Sequence, residues 1–520
     1  MSHSLGSSGW NSLKKRPIYA SLQRALLPAI LLLACHASIV RAQSINGSIS
    51  ILSVSPPRAR VQGERAQASN VWSFRNTYAS VMGIGERIEN LTLSDAHGVN
   101  VPVRMLAPGE WKAEGPATRF SYEVTLESPA MATDSAYVSW LTGEHGFLMP
   151  GDLLPRSAAV GGKAETARLR LLLPPGWSAS STEMKSGDSQ YEIKDTERAV
   201  FFVGRSLRER RAAAGAMDFT FVTTGEWAFT DEDAASMASS ILKEHEETFG
   251  GAVQGHAMLA LAPYPRPMGA ERWSAETRGN TVVLLAGRSP SKTAALASLS
   301  VPFTHELFHL WIPNGFALEG EYDWFYEGFT MYQAARAAVR LNLLTFQDFL
   351  TTIGRAFDAY VSAPNKDRLS LLDASRRRWT GPPALIYHKG MLVAFLYDLT
   401  LRRKTGGKRS LDDAYRALFR RYRGAAGAAA AAGTDGNAAA ISALNEPYDM
   451  REFTGRYIES AGIIDLGATI EQFGLRVDNG GVRTRLVVAD SLPREQRDLL
   501  RKFGYNAETR RGASHRPGDE

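Results

Sequence analysis

The sequence predicts an α+β chain in two large parts, the first β-rich and the second mainly helical. Three observations predict it. Short apolar or alternating runs broken by Gly, Pro, Ser and Asp fill residues 44 to 224. At Thr230 the texture turns to apolar residues at helical spacing. Further on, His305-Glu306-Leu307-Phe308-His309 sets two histidines four positions apart, the spacing of one helix face.

The chain opens with a segment that has the features of an export leader. Lys14, Lys15, Arg16 and Arg24 precede an apolar stretch from Leu26 to Ala34, and Val40-Arg41-Ala42 offers small residues where a signal peptidase reads, so cleavage after Ala42 is expected. The stretch is shorter than the roughly 20 residues a membrane span needs. An uncleaved anchor and lipidation at Cys35, in Leu32-Leu33-Ala34-Cys35, are the competing readings, each tethering the protein to a membrane. Residues 1 to 42 hold five basic residues and no acidic one, so without them the formal charge falls from +6 to +1. That removes the main support for a nucleic-acid partner. Cys35 is the single cysteine of the chain. The mature protein therefore has no disulfide, no cysteine nucleophile and no thiolate metal ligand. Its length suffices for two or three domains, each with its own core.

In the β-rich part the strand-like runs are Ser48 to Leu52, Val99 to Met105, Phe120 to Leu126, Ala136 to Leu141, Ala167 to Leu173, Ala199 to Val203 and Phe219 to Thr223. None carries a His cluster or an acid pair at ligand spacing. Thr230 followed by acidic residues marks a helix start, with Ala234, Met237, Ile241 and His245 on one face and Gly250-Gly251 as the stop. His245 reads as a structural helix residue. Ala257 to Leu261 and Asn280 to Leu285 read as strands, the second a candidate for binding an extended peptide.

Pro302 suits a helix start and Pro313 a stop, so the histidines fall on a short helix of apolar surface. Two imidazoles on one face can hold a metal ion, and Glu306 beside them can act as a base toward the attacking water. A catalytic ion takes three protein ligands and keeps one position open. Glu327, eighteen positions after His309 in Trp324-Phe325-Tyr326-Glu327-Gly328, is the candidate third ligand. The bland alternative is a buried helix whose histidines bind nothing. Helices are expected over Phe329 to Leu341, Thr345 to Val361, Ala384 to Arg402, Ser410 to Tyr422 and Tyr448 to Ser460, while Gly424 to Ala440 reads as a mobile low-complexity insertion.

These motifs together resemble the glycyl aminopeptidase family, metallopeptidase family sixty-one, among the zincins whose third ligand is a glutamate. The resemblance rests on His305 to Trp311, Glu327-Gly328-Phe329-Thr330, Tyr387-His388-Lys389-Gly390, Asp398 to Arg402, Ser410 to Asp413 and Phe453 to Ile458, and runs from about Asp231 to Val477. It implies one zinc ion per chain on His305, His309 and Glu327, Glu306 as general base and proton shuttle, and Tyr387 as hydrogen-bond donor to the oxyanion. Without the resemblance, Tyr387 reads as a core tyrosine. The family's glutamate for the substrate amine has two candidates: Glu276 by its distance to the next strand, Glu271 by the preceding glycine. The spacer between His309 and Glu327 is short for the family, and too little chain follows Leu475 for the PDZ domain many members carry.

The expectation is thus a leader at 1–42, a β-rich domain at 43–228, a thermolysin-like, mainly helical catalytic domain at 229–423, and the insertion at 424–441. A helical region closing the catalytic part follows at 442–508, then a disordered tail at 509–520. The function implied is that of an exported zinc metallopeptidase, periplasmic or secreted, acting on the N-terminal Gly or Ala of a peptide or protein. An endopeptidase of the same fold and a catalytically silent peptide-binding protein are the alternatives.

Overall fold

The computed structural model describes residues 44–156, 165–253, 255–316, 318–423, 433–478 and 480–506. The leader with Cys35, residues 424–432 of the Ala/Gly-rich stretch and the tail lie outside the described residues. Among the described residues, no helix is long and apolar enough to cross a membrane.

Three sheets are stacked ahead of the helices. The first, nine-stranded, is built on the hairpin of Ser44–Val54 and Pro57–Ser73, flanked by Thr166–Leu172 on one side and Glu110–Thr125 on the other. Its long strands alternate buried and exposed residues, placing Ile45, Ile49, Val61, Trp72, Phe120 and Tyr122 in one core. The exposed positions of Pro57–Ser73 include Arg60, Gln62, Glu64, Gln67 and Asn70, and that largely polar face hid the strand from the sequence reading. Ala136 to Leu141, read as a strand, is a 3-10 turn at Ala132–Ala136 followed by a two-residue strand, Trp140–Leu141. Polar contacts shape it: the Trp140 indole donates to the Ser135 carbonyl at 2.7 Å, and the Ser139 amide to buried Asp152 at 2.7 Å.

The second sheet, of Ser178–Ser180, Phe201–Gly204, His145–Leu148 and Trp140–Leu141, lies between the other two. Phe201 and Val203 face the N-terminal core, whereas Phe202 and Phe147 face Met258, Ala260, Val283 and Leu285 of the third sheet. That sheet runs Arg208–Ala214, Met217–Thr223, His256–Pro263, Thr281–Ala286, Trp273–Arg278, with the middle three strands parallel. Helices cover its other face through Leu259, Leu261, Val282 and Leu284, which is why these strands read as unbroken apolar runs. Two expectations change here. The hairpin of Arg208–Ala214 and Met217–Thr223 belongs to this sheet, so the β-rich domain ends before it rather than at residue 228. Thr281–Ala286 is paired on both sides and offers no free edge; the edge strand is Trp273–Arg278.

The helix Asp231–Phe249 starts at Thr230 as expected, and Thr230 and Asp233 form a capping box there. The helix with the histidines is longer than expected: it runs Lys292–Phe308 from a Ser291 cap and contains Pro302. Burial of Leu299, Phe303, Leu307 and Phe308 carries it through the hydrogen bond the proline lacks. His245 packs against this helix, its Nε2 2.9 Å from the Thr304 carbonyl oxygen and its ring edge-on to Phe308. Asp435-Gly436-Asn437 does not lie in a mobile loop. The Asp435 carboxylate caps Gly436–Asn445, Asn437 accepts from the Trp324 indole at 2.7 Å, and Ala439, Ala440 and Leu444 are buried. The C-terminal region also departs from all-helical, because Leu475–Asp478 and Arg485–Val488 form a hairpin.

Three helices behind the histidines share a buried charge network. Asp398 accepts from Tyr332 at 2.6 Å, Arg336 at 3.4 Å, Arg402 at 3.1 Å and the Leu411 amide at 2.9 Å. Asp412 accepts from Arg336 and, at 2.9 Å, from Gln333. Every charge is answered, so the network fixes the register of Thr330–Arg340, Gly390–Lys404 and Leu411–Tyr422. Asp398→Ala leaves Arg336 and Arg402 short of a partner and is expected to cost about 3–5 kcal/mol. Chemical denaturation of the variant measures this, and a loss under about 1 kcal/mol would contradict it.

Candidate metal centre and cleft

His305 Nε2, His309 Nε2 and Glu327 Oε2 converge at the floor of a cleft. The two nitrogens are 3.1 Å apart, and the oxygen lies 3.4 Å from His305 and 3.5 Å from His309. A tetrahedral zinc ion with bonds of about 2.0–2.2 Å spaces its ligand atoms by about 3.3–3.6 Å. The two nitrogen–oxygen distances fall in that range and the nitrogen–nitrogen distance is slightly shorter, so the three atoms approximate one face of such a tetrahedron. Among the described residues they form the one group of three side chains placed to hold a metal ion. The donor set, two imidazoles and a carboxylate, suits a zinc ion with an open position.

Neighbouring groups fix each ligand. His309 Nδ1 lies 2.9 Å from the Ile312 carbonyl oxygen, which keeps a proton on that nitrogen and leaves Nε2 as the donor atom. Burial alone would raise the Glu327 carboxyl, yet hydrogen bonds from His305 and His309 hold it well below the usual carboxylate range. Burial lowers His309 in turn, but the Glu327 carboxylate outweighs it and pushes the ring up to about 9. The site therefore favours positive charge at the imidazole nitrogens, a demand that a divalent cation meets.

Glu327 and Tyr387 reach the cleft from two helices that open as π-helical turns, Trp324–Phe329 and Leu385–Lys389. Such turns recur at functional sites because they re-aim one side chain without ending the helix. The two turns touch backbone to backbone at glycines. A Cβ on Gly328 would stand 2.6 Å from the Gly390 Cα, and one on Gly390 would stand 2.8 Å from the Gly328 Cα and 3.0 Å from the Trp324 carbonyl oxygen. The glycines that follow Glu327 and Lys389 in the motifs are thus the contact that brings Glu327 beside Tyr387.

The cleft, of about 1110 Å³, gathers His305, Glu306, His309, Glu327, Tyr387 and Glu276. Glu306 is buried beside the ligands, and the Thr277 hydroxyl lies 2.8 Å from its Oε2. Asn314 ties the edge strand to the end of the histidine helix, donating to the Thr277 and His309 carbonyls at 3.2 and 3.1 Å. Burial, then the nearby Glu327 carboxylate, raises the Tyr387 phenol far above its ordinary value, so it keeps its proton and can donate. Glu276 stands on the edge strand Trp273–Arg278 and accepts a hydrogen bond from Tyr78 of the N-terminal domain. Glu271 is exposed outside the strand and does not line the cleft, so the geometry separates the two candidates in favour of Glu276.

The cleft residues that sequence reasoning missed include Tyr78, Tyr137, Thr277 and Arg378. Tyr78 and Tyr137 come from the β-rich part, where no spacing links them to the histidines. Thr277 follows Glu276 directly and could have been suspected with it. Arg378 ends the run Arg376-Arg377-Arg378, which looks like a solvated charge cluster; its Nη2 lies 3.2 Å from Glu327 Oε1.

Residues 299–393 match the family model described as M61 glycyl aminopeptidase. No curated protein matches the chain. Among solved structures, an aminopeptidase N family protein from Idiomarina loihiensis aligns with a TM-score of 0.71 at 16% identity, over 85% of this chain and 81% of that one. An M1 zinc metallopeptidase from Deinococcus radiodurans aligns with a TM-score of 0.53 at 14% identity, over 82% of this chain and 95% of that one. A substituted two-domain M1 zinc metallopeptidase bound to L-tryptophan aligns with a TM-score of 0.52 at 14% identity, over the same shares. At these identities the structural likeness is one of fold: a β-rich N-terminal region before a helical catalytic part. With the family match, it bears out the resemblance read from the sequence and identifies the chain as a metallopeptidase, a hydrolase.

The glycine contact yields a test. Gly390→Ala forces the two π turns apart at an overpacking cost of about 1–3 kcal/mol and displaces Glu327. Zinc affinity, measured by competition with a chromophoric chelator, is expected to fall at least about tenfold. Unchanged affinity would show that the crossing does not set the ligand's position.

Proposed function

We propose that this chain, whose residues 299–393 match the M61 glycyl aminopeptidases, is a zinc-dependent aminopeptidase that removes a small N-terminal residue, Gly or Ala, from a peptide or protein. The observation that carries the reading is the tetrahedral spacing of His305, His309 and Glu327 with Glu306 directly beside them. Zinc held there would lower the pKa of a water from about 15.7 to about 7 and polarise the carbonyl under attack.

The chain's own residues supply the remaining steps. Glu276 on the edge strand presents a carboxylate to the substrate's α-ammonium, and the strand itself offers backbone groups to an extended peptide. Glu306, oriented by Thr277, takes a proton from the attacking water and passes it to the leaving amine. Tyr387 donates to the carbonyl oxygen as it gains negative charge, a contribution of about 2.7–4 kcal/mol for donors of this kind. Half-buried Glu276 in the cleft favours aminopeptidase over endopeptidase action, and the complete set of ligands, base and donor favours catalysis over a silent binding role. The free amino acid bound by the L-tryptophan complex is of the product class such an enzyme releases. Export rests on the leader at residues 1–42, with lipidation at Cys35 as its variant, and sequencing the mature N-terminus checks it.

Glu306→Gln tests the chemistry: hydrolysis of glycyl and alanyl fluorogenic amides should fall by about 10²–10⁴-fold while one zinc ion per chain stays bound. Turnover near that of the wild type would remove Glu306 as base. Glu276→Gln should raise KM for free-amine substrates, and the wild type should spare the N-acetylated forms. Equal cleavage of free and acetylated substrates would move the reading to an endopeptidase.

A further inference from the structure

Resting on the zinc reading above, we infer that Arg378 is a positioning residue that presents Glu327 to the metal through a single oxygen and so keeps a coordination position open. The two oxygens of Glu327 have separate partners. Oε2 faces His305 and His309 at 3.4 and 3.5 Å, whereas Oε1 accepts from Arg378 Nη2 at 3.2 Å. A carboxylate beside a divalent ion is free to chelate it with both oxygens, which would fill a position that a hydrolytic ion needs for water or substrate. With Oε1 engaged elsewhere, one oxygen remains for the ion.

Arg378 is itself built into place. Its Nη1 donates to the Asp323 carboxylate and, at 2.6 Å, to the Tyr326 hydroxyl, while Tyr326 donates to Asp323. Asp323 is buried. Asp323, Tyr326 and Glu327 occupy positions i, i+3 and i+4, one face of the same turn, so the guanidinium spans the π-helical start of that helix. Only a planar fork with several donors reaches both carboxylates in this way; a lysine ammonium is a point charge and cannot. The guanidinium also lies 5.7 Å from the centre of the Tyr326 ring and 5.1 Å from that of Trp379, which limits its swing. It enters from the loop after Leu371–Arg376, so it fixes Glu327 from outside the helix that carries it.

The experiment substitutes cobalt(II) for zinc in the full chain and in Arg378→Ala, Arg378→Lys and Asp323→Asn, recording visible absorption, chelator competition and kinetics. The wild type is expected to show the intense absorption of a four-coordinate ion. In Arg378→Ala and Arg378→Lys the absorption weakens as the coordination number rises, and kcat falls about 10–100-fold with KM within about threefold. Asp323→Asn, which loosens Arg378 without touching Glu327, shifts the spectrum the same way but less. A wild-type spectrum in Arg378→Ala overturns the inference whether or not activity falls; if that variant does not fold, Arg378→Lys decides on the same readouts. A wild type that takes up neither zinc nor cobalt removes the zinc reading itself, and this inference falls with it.

Discussion

Two imidazole nitrogens and a carboxylate oxygen lie within 3.5 Å of one another in a buried pocket, and the rest of the structure is arranged around that convergence. Electron-rich donor atoms at this spacing repel unless positive charge stands between them, so they must be held by something outside themselves. Two of the three ride on one helix, where the four-residue spacing does the work. The third comes from a different helix and depends on tertiary packing. Gly328 and Gly390 set the approach of the two helices, the π turns aim the side chains, and the Asp398–Arg336–Asp412 network locks the register behind them.

The cleft is shared between domains. The three side chains grouped to hold a metal come from helices, Glu276 from an edge strand, and the Tyr78 hydroxyl on that carboxylate from a hairpin in the N-terminal domain. Tyr78 lies between two guanidiniums, with Arg278 at 4.0 Å and Arg75 at 4.5 Å from its ring. This stack anchors the N-terminal hairpin against the edge strand. The middle sheet completes the coupling, because it contributes one face to each domain's core. The β-rich part is therefore a wall of the active site as well as a support for it.

What the sequence disclosed follows from how local each signal is. The spacing of the histidine pair, the helix start at Thr230 and the strands at Ala257–Leu261 and Asn280–Leu285 are written in residues a few positions apart, and the structure forms each of them. Glu327 needed a ligand count, and Tyr387 needed a family pattern, because their positions depend on a helix crossing that no periodicity encodes. The misreadings have the same origin. Pro302 looked like a helix start because propensity is local, while the packing that carries the helix through it is not. Pro57–Ser73 was missed because one polar face diluted its pattern, and Asp435-Gly436-Asn437 looked like a loop because nothing local announces the Trp324 indole it bonds. Arg378 and Tyr78 were invisible because their partners lie 51 and 198 positions away.

On the reading proposed above, the three donor atoms form a zinc site whose ligands already stand in place. Anomalous diffraction at the zinc edge from crystals of the zinc-loaded protein tests it most directly. The peak is expected about 2.0–2.2 Å from His305 Nε2, His309 Nε2 and Glu327 Oε2. A peak bound elsewhere, or none at those ligands under saturating zinc, would contradict it.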